Sequence, residues 1–455
     1  MATKKDLVEA QTFSRRRLLT AFVSGAPGGR ELEPGKPLRA VVGGVTLSVL
    51  LVLGSLGFGL LRPTLPQGWD HNSLVVTDTG ARYLAVEGTL HPVLNTTSAR
   101  LLIPSGEFQV VSVDDARIAD SPRGAPLGIP GAPDDLAPPE RLVATGWLAC
   151  TASGAGERLE LWHDGVGGRL AAQLAADDAV GAADDEPRAA LVDVAGDLFL
   201  VVGGRHHRLP RAGSDAVLRA LGLEAVPAWP VSARWLNLFA PGTELGPLEL
   251  GAAGDPLPAG SGAPPGATVG TVVAVTDGTG ERYVIDAAGE LAPLTTVSER
   301  LYRLGSGAEV LDVTAAQIAG MATSEEAVTP GDWPVTLPAP LPQEDAACAL
   351  LRTGADGGVR LVGTPDVEVP QQGTDVSVQP ATGALIRVAG SDGVPGYVQV
   401  VDQAGTAFAV PGADDEVLAR LGYTADDVTR VPPAWAALLP VGPELSEAAA
   451  LGSDA

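Results

Sequence analysis

Lysine is almost missing from this chain: only Lys4, Lys5 and Lys36 occur, and none follows residue 36. A phosphate-binding P-loop needs a lysine behind its glycines, so Walker-type nucleotide hydrolysis is excluded from the rest of the sequence. Histidine is nearly as scarce, five in 455 residues, and neither an H-E-x-x-H pair nor a G-x-S-x-G elbow occurs; the usual zinc-protease and serine-hydrolase signatures are therefore absent. His206-His207 is the one histidine pair. Neighbours on a strand point to opposite faces, so two exposed strand histidines are expected there rather than a metal site. Cysteine is reduced to Cys150 and Cys348. Two cysteines cannot complete a tetrahedral structural zinc site without other ligands. In an oxidising compartment they most simply form one disulfide, which on chain-entropy grounds is worth roughly 5 kcal/mol for so long a loop.

Several remaining clusters lack the spacing that chemistry requires. Gly165-Val166-Gly167-Gly168 is not placed between a strand and a helix at dinucleotide-binding spacing. The acidic groups Asp177-Asp178, Asp184-Asp185-Glu186 and Asp414-Asp415-Glu416 do not follow a calcium loop. Trp229, Trp235, Trp333 and Trp435 suit packing between elements better than a binding groove. Asn95-Thr96-Thr97 matches a glycosylation acceptor, but Thr96-Thr97 reads preferentially as a helix cap.

What is present is strongly asymmetric. An uncharged run of 22 residues, Ala40 to Leu61, lies between Arg39 and Arg62. At about 1.5 Å per residue it reaches roughly 33 Å, enough for a hydrocarbon core of about 30 Å. Before it stand eight basic and four acidic residues; after it stand 22 basic and 51 acidic, a net of −29. Positive residues beside a span stay in the cytoplasm, which puts the N-terminus inside and residues 62–455 outside. The run is long for a signal peptide, and Leu61-Arg62-Pro63-Thr64 offers no small-x-small cleavage site. Ser14-Arg15-Arg16-Arg17-Leu18-Leu19 looks like a twin-arginine signal, but the apolar stretch does not follow at once. An uncleaved anchor is expected, with Val8 to Phe22 as an amphipathic helix at the cytoplasmic membrane face. Gly44/Ser48 and Ser55/Gly59 would allow close helix approach, or reflect the ordinary abundance of glycine in membrane helices. A body this acidic is not a nucleic-acid partner.

The acidic part repeats itself. Gly80, Arg82, Tyr83, Thr96, Ser98, Arg100 and Leu101 recur 200 residues later as Gly280, Arg282, Tyr283, Thr296, Ser298, Arg300 and Leu301. Gly196, Val217, Leu218, Leu221, Gly222, Trp235, Gly242, Glu244 and Leu245 recur at the same offset as Gly396, Val417, Leu418, Leu421, Gly422, Trp435, Gly442, Glu444 and Leu445. A finer repeat lies within each half. Gly80, Gly196, Gly280 and Gly396 each precede a short apolar run, and a turn glycine follows at Gly88, Gly204, Gly289 and Gly405, as a hairpin turn with positive φ requires. Ser214-Asp215 and Asp414-Asp415 are expected to cap helices that bury Val217, Leu218, Leu221 and Val417, Leu418, Leu421, closed by Gly222 and Gly422. With 38 Pro and 57 Gly in the chain, short strands and many turns are expected. The fold class is α+β and β-rich. A single transmembrane helix leads into a pseudo-twofold extracytoplasmic body, with a central β core and four small hairpin-helix units.

The boundaries that follow are a basic tail over 1–39, the span over 40–61 and a linker over 62–75. Repeat units occupy 76–115, 191–250, 271–325 and 391–446; core halves occupy 116–190 and 326–390. A Gly/Pro/Ala linker covers 251–270, and a tail covers 447–455. Duplication of this kind favours a scaffold over a catalyst.

The stretch Leu90-His91-Pro92-Val93-Leu94-Asn95-Thr96-Thr97-Ser98-Ala99-Arg100-Leu101, just beyond a single anchor, resembles the EccB family of type VII (ESX) secretion systems. Gly128-Ile129-Pro130-Gly131-Ala132-Pro133, ahead of Cys150, resembles it as well. The likeness implies a core subunit of a secretion complex in the cell envelope, present in several copies around an axis. Its implied partners are an EccC-type motor ATPase, EccD, EccE and a mycosin protease. It implies motif roles for Leu90, His91, Pro92, Asn95, Ser98 and Arg100, and it matches Cys150 and Cys348 to the family's disulfide. Some family members carry an ATPase label, and ATP enters only through it; no residue outside the membrane supports it. The sequence implies no cofactor, no metal and no catalytic residue. The competing readings are an extracytoplasmic nucleotide hydrolase in the same complex and an anchored cell-wall-binding protein that uses its tryptophans.

Overall fold

The computed structural model describes residues 3–24, 37–60, 65, 67–152, 156–161, 187–277, 280–353, 358–365, 367–388 and 396–452. The chain divides into two compact units, Met1–Gln67 and Gly68–Ala455.

The first unit contains two helices, Lys4–Ser24 (α1) and Pro37–Leu60 (α2). Pro37 sits at the start of α2, where its missing N–H costs nothing. The side chains described over residues 40–55 are all exposed, and that stretch reaches about 24 Å. Among the described residues no helix is long and apolar enough to cross a membrane. The transmembrane helix expected over 40–61 is therefore not found among them: residue 61 and the side chains of 56–60 lie outside the described residues.

The second unit is α+β and β-rich. It opens with Ser73–Thr77 (β1), Arg82–Val86 (β2), Thr89–Pro92 (β3), helix Thr96–Leu102 (α3) and Gln109–Val113 (β4). The first three strands form an antiparallel meander, and β4 returns parallel to β1, giving the order β3-β2-β1-β4. Glu87 (φ 47°) and Gly88 (φ 80°) make the two-residue turn between β2 and β3. Both central positions of such a turn need positive φ, so glycine is the residue without strain there. Trp147–Thr151 (β5) and Glu157–Leu161 (β6) follow.

The next sheet comprises Arg188–Val194 (β7), Asp197–Val202 (β8), Arg205–Arg208 (β9), helix Ser214–Leu221 (α4), and the short strands Trp229–Pro230 (β10) and Ala240–Gly242 (β11). Its order is β10-β7-β8-β9-β11. Val272–Val275 (β12), Arg282–Ile285 (β13), Leu291–Leu294 (β14), helix Thr296–Ser306 (α5) and Val310–Val313 (β15) repeat the first arrangement as β14-β13-β12-β15. Ala339–Pro340 (β16) adds to β7. Ala346–Arg352 (β17), Gly358–Thr364 (β18) and Thr374–Val378 (β19) join β5 and β6 in a central sheet ordered β18-β17-β5-β6-β19. Ala384–Val388 (β20), Tyr397–Val401 (β21), Ala407–Val410 (β22), helix Asp415–Leu421 (α6) and Thr429–Val431 (β23) close the series as β22-β21-β20-β23. The four outer sheets with their helices are called units 1 to 4 below, in chain order.

Helix ends follow local chemistry. Asp414 accepts a hydrogen bond from the Val417 amide, and Gly222 (φ 76°) and Gly422 (φ 93°) close α4 and α6 in the left-handed conformation. Two expected caps are different. The N-cap of α4 is Gly213, at φ 89° and without a side-chain bond, so Ser214 and Asp215 lie inside the first turn. The cap of α3 is Asn95, whose side chain accepts from the Ser98 amide, in place of Thr96-Thr97.

The largest core cluster gathers Trp147, Ala149, Trp235, Ala349, Leu351, Ile386, Val401 and Trp435, and so joins the central sheet to units 2 and 4. Two further clusters each span two units. Leu101 of unit 1 lies with Leu385, Leu418, Leu421 and Leu445. Val297 and Leu301 of unit 3 lie with Val217, Leu218 and Leu221 of unit 2. Each buried leucine of this kind is worth about 1.5–3 kcal/mol of apolar burial.

Candidate functional site

The central sheet is where the two halves of the chain meet. β5 and β17 pair antiparallel, with Cys150 opposite Cys348 and Ala149 opposite Ala349. The opposed cysteines are bonded, with an S–S distance of 2.09 Å and a Cα–Cα distance of 3.9 Å. Both are fully buried, among Leu148, Ala346, Leu350 and Val362. The bond closes a loop across 198 residues at the centre of a ladder, so it couples the halves covalently where they already share hydrogen bonds. The indole of Trp235 donates to the Ala149 carbonyl at 3.0 Å and ties unit 2 to the same ladder. Glu157 is 5% exposed; it accepts from the hydroxyls of Ser232 and of Thr374, the latter at 3.1 Å, and so joins β6, unit 2 and β19.

The two motif segments form a second centre in unit 1. Asn95 accepts from the Ser98 amide and donates its Nδ2 to the Ile129 carbonyl at 2.8 Å. The Ile129 amide donates back to the Ser98 hydroxyl at 2.9 Å, and the Thr97 hydroxyl donates to the Pro133 carbonyl at 2.6 Å. The start of α3 therefore grips residues 129–133. The Gly128 amide in turn donates to the Ala450 carbonyl at 2.8 Å, which reaches unit 4. Asn95 is 5% exposed and its amide is engaged, so the glycosylation reading has no accessible acceptor. Leu90 is fully buried. His91 and Pro92 belong to β3, and Arg100 stacks 4.5 Å from the centre of the Phe108 ring.

Charged contacts favour ionised carboxylates both between units and within unit 2. The Ser105 hydroxyl and amide, then Arg420, hold the Glu416 carboxyl below its ordinary value of 4.5. Arg82 of β2 bonds Asp134 and lowers it in the same way. Arg211 and Arg208 hold Asp197 at about 2.

The histidines are not exposed as expected. His207 is 1% exposed, with Nδ1 2.8 Å from the Thr243 carbonyl. His206 is half-buried, with Nδ1 3.1 Å from the Phe239 carbonyl, and burial lowers its pKa. His207 packs because the short parallel strand β11 lies along the outer edge of its meander and brings Gly242 onto the ring, an arrangement that units 1 and 4 share. Gly124 meets His91, Gly242 meets His207 and Gly442 meets Phe408, and a β-carbon at any of the three would overlap the ring. The sequence marks Gly242 and Gly442 through the repeat; nothing in it marks Gly124. Glu157 was also unmarked, since an isolated glutamate on a strand carries no pattern.

Trp229, Trp235, Trp333 and Trp435 are 3, 0, 7 and 0% exposed. The groove needed for a wall-binding role does not exist at these residues. Gly88, Gly204, Gly289 and Gly405 have φ values of 80, 78, 80 and 79°. Gly165 to Gly168 and the acidic groups at 177–178 and 184–186 lie outside the described residues. Asp414-Asp415-Glu416 starts α6.

Comparison with known proteins places this geometry. The family described as "Type VII secretion system ESX-1, transport TM domain B" (EccB) matches residues 1–455. The ESX-3 secretion system ATPase EccB3 of Mycobacterium tuberculosis is 35% identical over 236 residues, covering 51% of this chain and 42% of that protein. The EccB3 of Mycolicibacterium smegmatis is 29% identical over 450 residues, covering 91% of this chain and 83% of that one. The matches thus span less than half the length of the M. tuberculosis EccB3. Among solved structures, a chain of an intact ESX-5 inner membrane complex superposes with a TM-score of 0.66 at 24% identity, over 99% of this chain and 95% of that one. The EccB3 dimer from the ESX-3 core complex gives 0.66 at 23%, over 83% of this chain and 99% of that one.

Proposed function

Because this chain belongs to the EccB family of type VII secretion, we propose that it is a membrane-anchored structural subunit of an ESX-type secretion complex. On this reading residues 40–61 span the membrane, the N-terminus is cytoplasmic, and residues 62–455 form part of the outer assembly. The observation that carries it is the buried Cys150–Cys348 bond: a disulfide joining the two halves of a body fits an oxidising, extracytoplasmic compartment. The uncharged run between Arg39 and Arg62 supports the anchor.

The body is read as a pseudo-twofold duplication with the unit and core boundaries given in the sequence analysis. The shared strand order of units 1, 3 and 4 supports this. The antiparallel pairing of β5 with β17, one strand from each half, supports it as well. Its partners would be an EccC-type ATPase, EccD, EccE, a mycosin and further copies of itself. The full chain, extracted from membranes in mild detergent at native expression, is expected to bring such subunits with it. Recovery solely as a lone monomer would contradict the proposal.

The names of its relatives motivate a second reading, an ATP hydrolase in the same complex. With no lysine after Lys36 to hold phosphates, the purified protein is expected to show no ATP turnover beyond that of a mock purification. Turnover abolished by one point substitution would establish the second reading instead.

A further inference from the structure

The five sheets of the body have two outermost strands each, and an outermost strand is a template for any extended chain that reaches it. Nearly all of them are protected. β18 and β19, the margins of the central sheet, are closed by turns of units 2 and 4: a β-carbon on Gly204 would meet the Val359 carbonyl, and one on Gly405 the Val376 side chain. β3, β14 and β22 carry parallel bridges to Arg123, Thr323 and Val441 respectively. β10 and β11 present Pro230 and Pro241, which have no N–H to donate. β15 exposes Asp312 and β23 exposes Arg430, and a charge on an edge opposes pairing.

β4 has none of these devices. Gln109-Val110-Val111-Ser112-Val113 contains no charge and no proline. Among the described residues nothing pairs with its outer side. Val110 is 56% exposed, and Gln109 and Ser112 are exposed with it. Ser112 stands where unit 3, 200 residues on, has the protecting Asp312. The ends of the strand are acidic: Glu107 lies two residues before it, and Asp114 and Asp115 follow it directly. Glu107 accepts from the Asn72 side-chain amide and Asp115 from the Thr79 hydroxyl, both at 2.6 Å. Those bonds hold the two groups in place, and a carboxylate has acceptor sites beyond one bond. A second copy paired antiparallel about Val111 would set Glu107 against Asp115 at both ends, and like charges directly opposite destabilise a strand pair. The charges thus reject a copy of this chain and favour a cationic strand.

We propose that β4 is a docking edge for an extended segment of a partner protein, β-branched and apolar along about five residues, the length of a typical strand, and basic at both ends. The segment's backbone bonds to the outer side of β4 and adds a strand to the sheet of unit 1. An apolar side chain covers Val110, and Lys or Arg at the two ends meets Glu107 and Asp115. This edge stands apart from the anchoring and disulfide arguments, so it can fail without them.

The test uses the full chain in detergent and short fluorescent peptides, blocked at both ends, with an alternating Thr/Val interior and Lys, Gln or Glu at the ends. Binding is read by anisotropy. The Lys-ended peptide is expected to bind saturably and about ten-fold or more tighter than the Glu-ended one, as cross-strand charge pairs at two exposed ends allow. A Lys-ended peptide with a Gly/Ser interior should not bind. Methylation of every second backbone nitrogen of the Lys-ended peptide should abolish binding in one of the two phases, since only one face of an added strand bonds to β4. Val110→Lys should remove binding with thermal melting unchanged, and Glu107→Gln should shrink the preference for Lys ends while strand addition persists. Undiminished binding of both methylated peptides, or equal binding of the Gly/Ser peptide, would overturn the proposal by leaving charge attraction alone. So would unaltered binding to Val110→Lys. Loss of self-association in Val110→Lys without peptide binding to the parent chain would assign the edge to a second copy and overturn it as well.

Discussion

Where unit 1 meets unit 4, α3 packs against α6, and the contact is tied by polar groups. Arg420 donates to the Leu101 carbonyl and to Glu447, both at 2.8 Å, and Ser105 bonds Glu416. Residues 128–133 and the terminal turn Glu447–Ala450 lie over the same junction. Where unit 2 meets unit 3, α4 packs against α5 around Val217, Leu218, Leu221, Val297, Leu301 and Trp333. One link is shared: Arg300 donates to the Ala220 carbonyl at 3.1 Å, as Arg420 does to that of Leu101. One helix-on-helix solution is thus used twice, resting on apolar burial at one junction and reinforced by hydrogen bonds and carboxylates at the other. Past Leu245 the chain packs Leu248, Leu257, Ala263 and Ala267 on unit 3. Past Leu445 the helical turn Glu447–Ala450 packs on α3 of unit 1.

The comparison breaks most sharply at Leu301, which is fully buried between units 2 and 3. Leu301→Ala should destabilise the body by about 2–5 kcal/mol through lost burial and a cavity, measured by chemical denaturation. Hydrogen exchange should rise in α4 and α5 and leave α3 protected. A smaller effect compares two caps 200 residues apart. Thr295 caps α5 through a reciprocal pair with Ser298, while Asn95 caps α3 and also holds Ile129. Thr295→Ala should cost about 1 kcal/mol. Asn95→Ala should cost about 1–2 kcal/mol more, because a buried carbonyl also loses its partner; equal costs would mean that the 129–133 segment is not held by the cap.

The smallest effect is on pH. Glu416 is ionised in the native state below its ordinary 4.5, so its contribution is complete above that value and is lost as the pH falls through the lower native one. Asp197, held at about 2, keeps its arginine partners further into acid. Protection in α3 and α6 should therefore fall at a higher pH than protection in β8, once exchange rates are corrected for intrinsic pH dependence. The reverse order would contradict the assignment.

Part of this arrangement was legible in the residues. Gly222, Gly422 and Asp414 mark helix ends because left-handed φ and an amide-accepting side chain are local demands. The spacing of Val217, Leu218 and Leu221 marks a buried face for the same reason. Two cysteines leave a single intramolecular pairing. The rest depends on distance. Nothing near Leu101 says that it will pack with Leu418, 317 residues away, since partner choice between units is set by the assembled sheets. Asn95 is hard to single out because Thr96 and Thr97 offer competing hydroxyls, and what distinguishes it is the bond its Nδ2 donates to the Ile129 carbonyl, 34 residues on. His207 was misread because its exposure depends on β11, which pairs with β9 from more than thirty residues on.

The central claim is that a cross-linked body lies outside the cytoplasmic membrane, and the state of its two thiols tests it most directly. Cells are lysed into acid, the chain is denatured without reductant, and free thiols are alkylated before intact-mass measurement of the membrane fraction. The expected result is no alkyl group added before reduction and two after it, at Cys150 and Cys348. Both thiols alkylated without reductant would place the body in a reducing compartment and contradict the account.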